Sequence, residues 1–170
     1  NELGDLLNKE LVELFLKAND CIDDENFLKA IEFYNLILKI DPKNISALID
    51  KGVTLQILGR IKLSIRSFDK ALELSPKNID ALINKGSALH LSEQYFDAID
   101  CYDEALKIDP KYSMALAYKG LSLGELGNLT ESISCFKKAL SIDEHCTLAQ
   151  ISKDTAQELL KSINSNSKKL

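Results

Sequence analysis

The sequence predicts an all-α fold, a solenoid of antiparallel helix hairpins, and three observations carry that reading. The three prolines, Pro42, Pro76 and Pro110, each lie 34 residues from the next. The stretches ALIDKG (47–52), ALINKG (81–86) and ALAYKG (115–120) recur at the same interval. Gly and Pro are scarce, at 7 and 3 of 170 residues, which leaves little turn chemistry for a sheet. Self-similarity at this period signals stacked two-helix units, each of which buries its apolar face against its neighbours.

Placing each proline at position 32 of a unit divides the chain in order. Residues 1–10 read as a helical extension or as the remnant of an upstream second helix, with Lys9 where Lys43, Lys77 and Lys111 fall. Four repeats follow at 11–44, 45–78, 79–112 and 113–146, then a capping helix at 147–162 and a polar, frayed tail at 163–170. In the third repeat the helices cover about 80–92 and 96–108, joined by a turn at Glu93 and Gln94; Gly59 and Gly127 mark the same turn in the second and fourth. The prolines end the second helices, because the residue before proline is pushed out of helical dihedrals. In the capping helix Leu148, Ile151, Thr155 and Leu159 form one stripe, expected to pack while the charged residues stay solvated.

The repeating letters are scaffold. Position 8 is Ala18, Gly52, Gly86 and Gly120, and position 20 is Ala30, Ser64, Ala98 and Ser132. Position 24 is a ring in every repeat: Tyr34, Phe68, Tyr102 and Phe136. Position 27 is Ile37, Ala71, Ala105 and Ala139. Small residues recur where helices approach closely, and rings where a gap must be filled. This register resembles the tetratricopeptide repeat family over residues 11–146. Departures are Leu at position 4, Lys at position 7, Glu144 in place of the fourth proline, and Ile37 and Cys21 in the first repeat. The resemblance implies a right-handed superhelix whose first helices line a concave face that holds extended peptides or partner helices.

A helix advances about 100° per residue, so relative to position 4 (Leu48, Leu82, Leu116) position 8 falls at about 40° and position 11 at about 340°. Position 6 falls near 200°, with positions 2, 9 and 13 close by and position 5 flanking. The residues that vary within ALIDKG are therefore expected to point away from the core and to read a ligand. The candidate peptide groove comprises Phe15, Asn19, Ile49, Asp50, Val53, Asp80, Ile83, Asn84, Ser87, His90, Met114 and Tyr118. Val12, Ser46, Leu16, Ala117, Leu121, Gln56, Ile57 and Leu91 occupy the remaining positions of that face. Asn and Asp there can accept hydrogen bonds from a ligand's backbone, while Ile49, Ile83, Val53 and Leu91 accept apolar side chains.

No Lys or Arg falls in these positions. Relatives that grip acidic chaperone tails do so with a carboxylate clamp of Lys, Arg and Asn; Asn19 and Asn84 sit at clamp-like positions, but the cations are missing. The expected partner is a protein or peptide, neutral to basic, with apolar anchors. The lysines at position 7 (Lys17, Lys51, Lys85, Lys119, and Lys153) border the packed stripe, where each stem covers apolar surface while the ammonium reaches water.

Composition narrows the function further. The net charge of −5 disfavours nucleic acid and anionic membrane, because phosphate binding needs clustered cations. No apolar run approaches the ~20 residues of a membrane span, and no signal segment opens the chain. The first residue is Asn and the single Met is Met114, which reads as a start inside a larger reading frame. Cys21, Cys101, Cys135 and Cys146 show no C-x-x-C pair and read as free thiols of a reducing cytosol; His145 and Cys146 read as a surface loop pair. A phosphate loop, H-E-x-x-H and G-x-S-x-G are all missing, so no catalysis and no cofactor or metal are predicted. The alternative to a peptide groove is self-assembly through the terminal helices, since Val12, Phe15 and Leu16 join Leu11 and Leu14 to make the first helix apolar all round. An RNA-binding helical array is disfavoured by the acidic charge and the 34-residue period.

Overall fold

The computed structural model describes residues 2–167, which hold nine α-helices and no strand among the described residues. They gather into two compact units, one up to Ala88 and one from Leu89. The first unit contains α1 (Glu2–Asp23), α2 (Phe27–Ile40), α3 (Ile45–Ile57), α4 (Ile61–Leu74) and most of α5 (Ile79–Leu91). The second contains the end of α5, then α6 (Tyr95–Ile108), α7 (Ser113–Glu125), α8 (Leu129–Ile142) and α9 (Thr147–Ser167).

The turns inside the hairpins share one device. Glu25, Gly59, Glu93 and Gly127 all have positive φ, at 56°, 71°, 62° and 80°. Left-handed backbone is free for glycine and strained for the two glutamates. The links between hairpins share another. Asp41, Ser75 and Asp109 precede the prolines with φ of −128°, −140° and −129°. Asp143 adopts −133° with no proline after it. Its Oδ1 accepts from the His145 amide at 3.0 Å, as Asp41 does from Lys43 and Asp109 from Lys111. The aspartate turn therefore keeps its shape where Glu144 replaces proline. Asn44 then caps α3 by accepting from the Ala47 amide at 3.0 Å, and Asn78 caps α5 through Ala81 at 2.8 Å.

Ring against small residue organises the core of each hairpin. Phe68 and Phe136 are almost wholly buried, and a Cβ built on Gly52 or Gly120 would lie 2.5 or 2.6 Å from the facing ring's Cε1. The small residue is thus dictated by the ring. Ser132 donates to the Gly120 carbonyl at 2.6 Å, which draws α8 onto the backbone of α7. Between hairpins, Lys85 reaches Asp69 at 2.7 Å and Lys119 reaches Asp103 at 2.6 Å. In these two repeats position 7 thus pairs with position 25 of the preceding hairpin, rather than ending in water.

Residues 2–10 continue directly into α1. Three expectations are corrected. The helix α9 runs to Ser167, past residue 162; residues 168–170 of the expected tail lie outside the described residues. Of the α9 stripe only Leu148 packs: Ile151 is 63% exposed and Leu159 50%, while Ala149 and Ala156 are buried. The reason is register. α9 continues the first-helix pattern, so Ile151, Thr155 and Leu159 take outward positions 5, 9 and 13, and its small residues make the close approach. Cys146, expected in a surface pair, is 5% exposed, with its thiol 3.9 Å from the Met114 sulfur, whereas the His145 side chain is open.

Candidate functional site

In the first unit the outward face of α1, α3 and α5 centres on Asp50. Its carboxylate is half-buried, and burial raises its pKa above the ordinary aspartate value. No ion pair among the described residues includes Asp50. Thr54, itself buried, donates to the Asp50 carbonyl at 2.7 Å. Desolvation, reinforced by Asp50, pushes the Tyr34 phenol up, so that hydroxyl stays neutral.

The other expected residues of this face divide. Asn19 and Asp80 are exposed, and Val53, Asn84 and Ser87 are half-buried. Asn84 donates its Nδ2 to the Asp80 carbonyl of its own helix at 2.8 Å, which leaves the side-chain oxygen as its outward acceptor. Ser87 accepts from Gln56 at 3.1 Å, tying α5 to α3, and the Gln56 side-chain oxygen is buried without a hydrogen-bond partner. Phe15 packs against the Tyr34 cluster, and Ile49 against Leu48, Ala71 and Ala81. Ile83 is only 8% exposed, so it does not offer a free apolar surface. Its counterpart Ala117 in the second unit is fully buried. Ile83 and Ala117 are therefore packed rather than presented to a ligand, which a wheel drawn on one helix does not reveal.

The second unit holds the remaining three. His90 Nδ1 lies 2.8 Å from Ser122 Oγ and its ring meets Tyr95 edge-on at 5.2 Å. Burial lowers the His90 pKa, outweighing the opposing effect of Glu125, so the ring is a neutral tie between helices. Met114 is half-buried against the α7–α9 core beside Cys146. Tyr118 stacks on Tyr102 at 5.9 Å with 24° between the planes. Sequence reasoning missed a cavity of about 330 Å³ between α7, α8 and α9, lined by Gly120, Leu121, Gly124, Ile151, Thr155 and Leu159 among others. Its signal is in the register: continued into α9, it puts Ile151, Thr155 and Leu159 on the outward face.

Among the described residues no group of His, Cys, Asp and Glu is placed to hold a metal, and no helix is long and apolar enough to cross a membrane. Hairpins that pack with one set of positions and leave another free make a helical-repeat interaction module. Family profiles described as tetratricopeptide repeat match residues 45–78, 79–112 and 115–146, more than half of the chain. The chain belongs to the tetratricopeptide repeat family, and it is a protein-interaction scaffold of that kind. Among solved structures it is similar to MamA, with 25% identity and a TM-score of 0.78 over 89% of this chain and 82% of that one. A tetratricopeptide repeat protein from Parabacteroides merdae aligns at 23% identity and TM-score 0.79, over 92% of this chain and 62% of that one. The first such domain of Spaghetti (RPAP3), bound to the HSP90 peptide SRMEEVD, aligns at 19% identity and TM-score 0.67, over 71% and 96%. No curated protein matches the sequence.

Proposed function

We propose that the outward face of the first helices binds an extended peptide or partner helix, neutral to basic in charge, with apolar side chains as anchors. The observation that carries this is Asp50: a half-buried carboxylate with no cation in ion-pair range among the described residues. A ligand ammonium or backbone amide would relieve the desolvation that raises its pKa. The Asn84 oxygen and exposed Asp80 add acceptors in the first unit, and the cavity beside Leu121, Ile151 and Leu159 takes apolar anchors in the second. The same acids oppose a carboxylate tail like that of the HSP90 peptide on Spaghetti, so we infer no chaperone-tail clamp. The role is binding rather than catalysis, in a cytoplasmic setting.

The double change Asp50→Lys, Asn84→Ala is expected to leave helicity and melting temperature nearly unchanged while abolishing partner capture from a matched lysate. Equal recovery by both proteins would overturn the reading. A second reading, self-assembly through α1, is favoured by its exposed Leu6, Val12 and Leu16, which are 64%, 59% and 59% accessible. Light scattering coupled to size exclusion decides it, and a concentration-independent monomer rejects it.

A further inference from the structure

The strongest charged feature lies away from that face. Between α2, α3 and α4 in the first unit is a cavity of about 400 Å³. Ile31, Leu38, Leu48, Leu55 and Leu63 give it apolar walls, and Lys51, Arg60, Arg66 and Lys70 also line it. Four cations converge there with no acidic residue in the lining, on a chain whose net charge is −5. Both arginines of the sequence are among them.

The repeat register shows that this is a departure and not a by-product of the fold. Lys85 and Lys119 at position 7 are neutralised by Asp69 and Asp103 at position 25. Lys51 occupies position 7 of its own repeat, and position 25 of the preceding one is Asn35, which lines the cavity. No ion pair among the described residues involves Lys51, Arg60, Arg66 or Lys70. At positions 22 and 26, where α4 carries Arg66 and Lys70, α6 carries Asp100 and Glu104. Burial, with the charge of Lys70, lowers the Lys51 pKa, consistent with an ammonium short of a counter-charge.

We propose that this cavity is a second binding site, for an acidic peptide segment of a partner protein that places carboxylates on Arg66, Lys70 and Lys51 and an apolar side chain between Ile31, Leu38 and Leu63. Guanidinium forks match carboxylates with two parallel hydrogen bonds, and apolar walls strengthen the pairing by excluding water. A peptide fits better than an anionic membrane, because a recessed site admits a side chain that a charged plane does not supply, and the chain's net charge of −5 opposes such a plane. On α3, Leu48, Lys51 and Leu55 lie on the side opposite Asp50 and Val53, so the two sites do not compete for one face.

The test uses a blocked, fluorescein-labelled peptide of sequence EELEE, measured by anisotropy at low and high salt, with ¹H–¹⁵N shifts mapping the site. Expected are salt-sensitive binding, amide shifts at Lys51, Arg66, Ser67 and Lys70, and at least about a tenfold loss in Arg66→Ala, Lys70→Ala. Both are exposed residues, so the variant should fold, which its circular dichroism checks. Binding of EELEE is expected to survive Asp50→Lys, Asn84→Ala, which separates this site from the first. Unchanged affinity in the arginine–lysine variant, or no shifts at millimolar peptide, would overturn the proposal. So would arginine-dependent binding to phosphatidylserine vesicles without peptide binding, or an arginine-dependent dimer that excludes the peptide.

Discussion

Gly52→Ala asks whether ring packing or helix propensity governs the hairpin. The new Cβ would lie 2.5, 2.8 and 2.9 Å from three Phe68 ring carbons. Carbon atoms prefer about 3.5–4.0 Å, so the ring or α3 must retreat by about 1 Å. Phe68 is wholly buried, and such overpacking costs about 1–3 kcal/mol. Alanine's better helix propensity returns about 1 kcal/mol, which leaves a net loss of about 1 kcal/mol. With a urea dependence of about 2 kcal/mol per molar, the midpoint should fall by about 0.5 M in a titration followed by far-ultraviolet circular dichroism. Gly124→Ala is the matched control. Its Cβ meets nothing nearer than Ser132 Oγ at 3.4 Å, so the propensity gain of up to about 1 kcal/mol should appear as a rise. Phe68→Leu in the Gly52→Ala background should recover part of the loss, giving a coupling of about 1 kcal/mol between the sites. Equal stabilisation by the two alanines would refute the close contact.

Further outcomes follow from the turns, the caps and the buried acid. Glu93→Gly removes a non-glycine residue at φ 62° and should stabilise by about 0.5–1 kcal/mol, read from the urea midpoint; a loss would mean the glutamate side chain contributes more than the strain. The α7 N-cap Tyr112 makes no side-chain cap, so Tyr112→Asn should gain about 0.5–1 kcal/mol by matching Asn44 and Asn78, and no gain would refute the capping argument. Asp50 has a raised pKa when folded, so the folded chain binds more protons there and ionisation lowers stability as pH rises. Asp50→Asn should therefore melt higher at neutral pH, with the gap closing once pH falls below the unfolded aspartate value of about 3.9; a pH-independent gap would contradict this. By the same linkage a cationic peptide on that face should bind more weakly in acid.

The period of the sequence was enough to locate the hairpins, because ring, small residue and turn must recur wherever the same packing recurs. The burial of Ile83 and Ala117 is not legible in a wheel, which describes one helix and not its neighbours. In α9 the large apolar residues Ile151 and Leu159 lie outside the packing, which Ala149 and Ala156 make. Cys146 reads as loop because it follows His145, yet it occupies the position just before α9 where the chain turns back into the core. The basic cavity is not legible as a motif because Lys51 comes from α3 while Arg66 and Lys70 come from α4. Its traces in the sequence are Asn35 where later repeats have Asp69 and Asp103, and Arg66 and Lys70 where the next repeat has Asp100 and Glu104.

The pairing of each hairpin with the next bears on how such a chain avoids misassembly. Excising residues 45–78 would join Asn44 to Ile79 and preserve the 34-residue path of the backbone. It would nevertheless set Lys85 against Asn35 in place of Asp69, and bring Asn84 to Tyr34 in place of Asp50. Hairpins that are interchangeable as shapes thus differ as neighbours. During folding, when several near-copies of one hairpin compete for the same docking surface, those few polar partners favour the hairpin that belongs there over its look-alikes, in the same chain or in another.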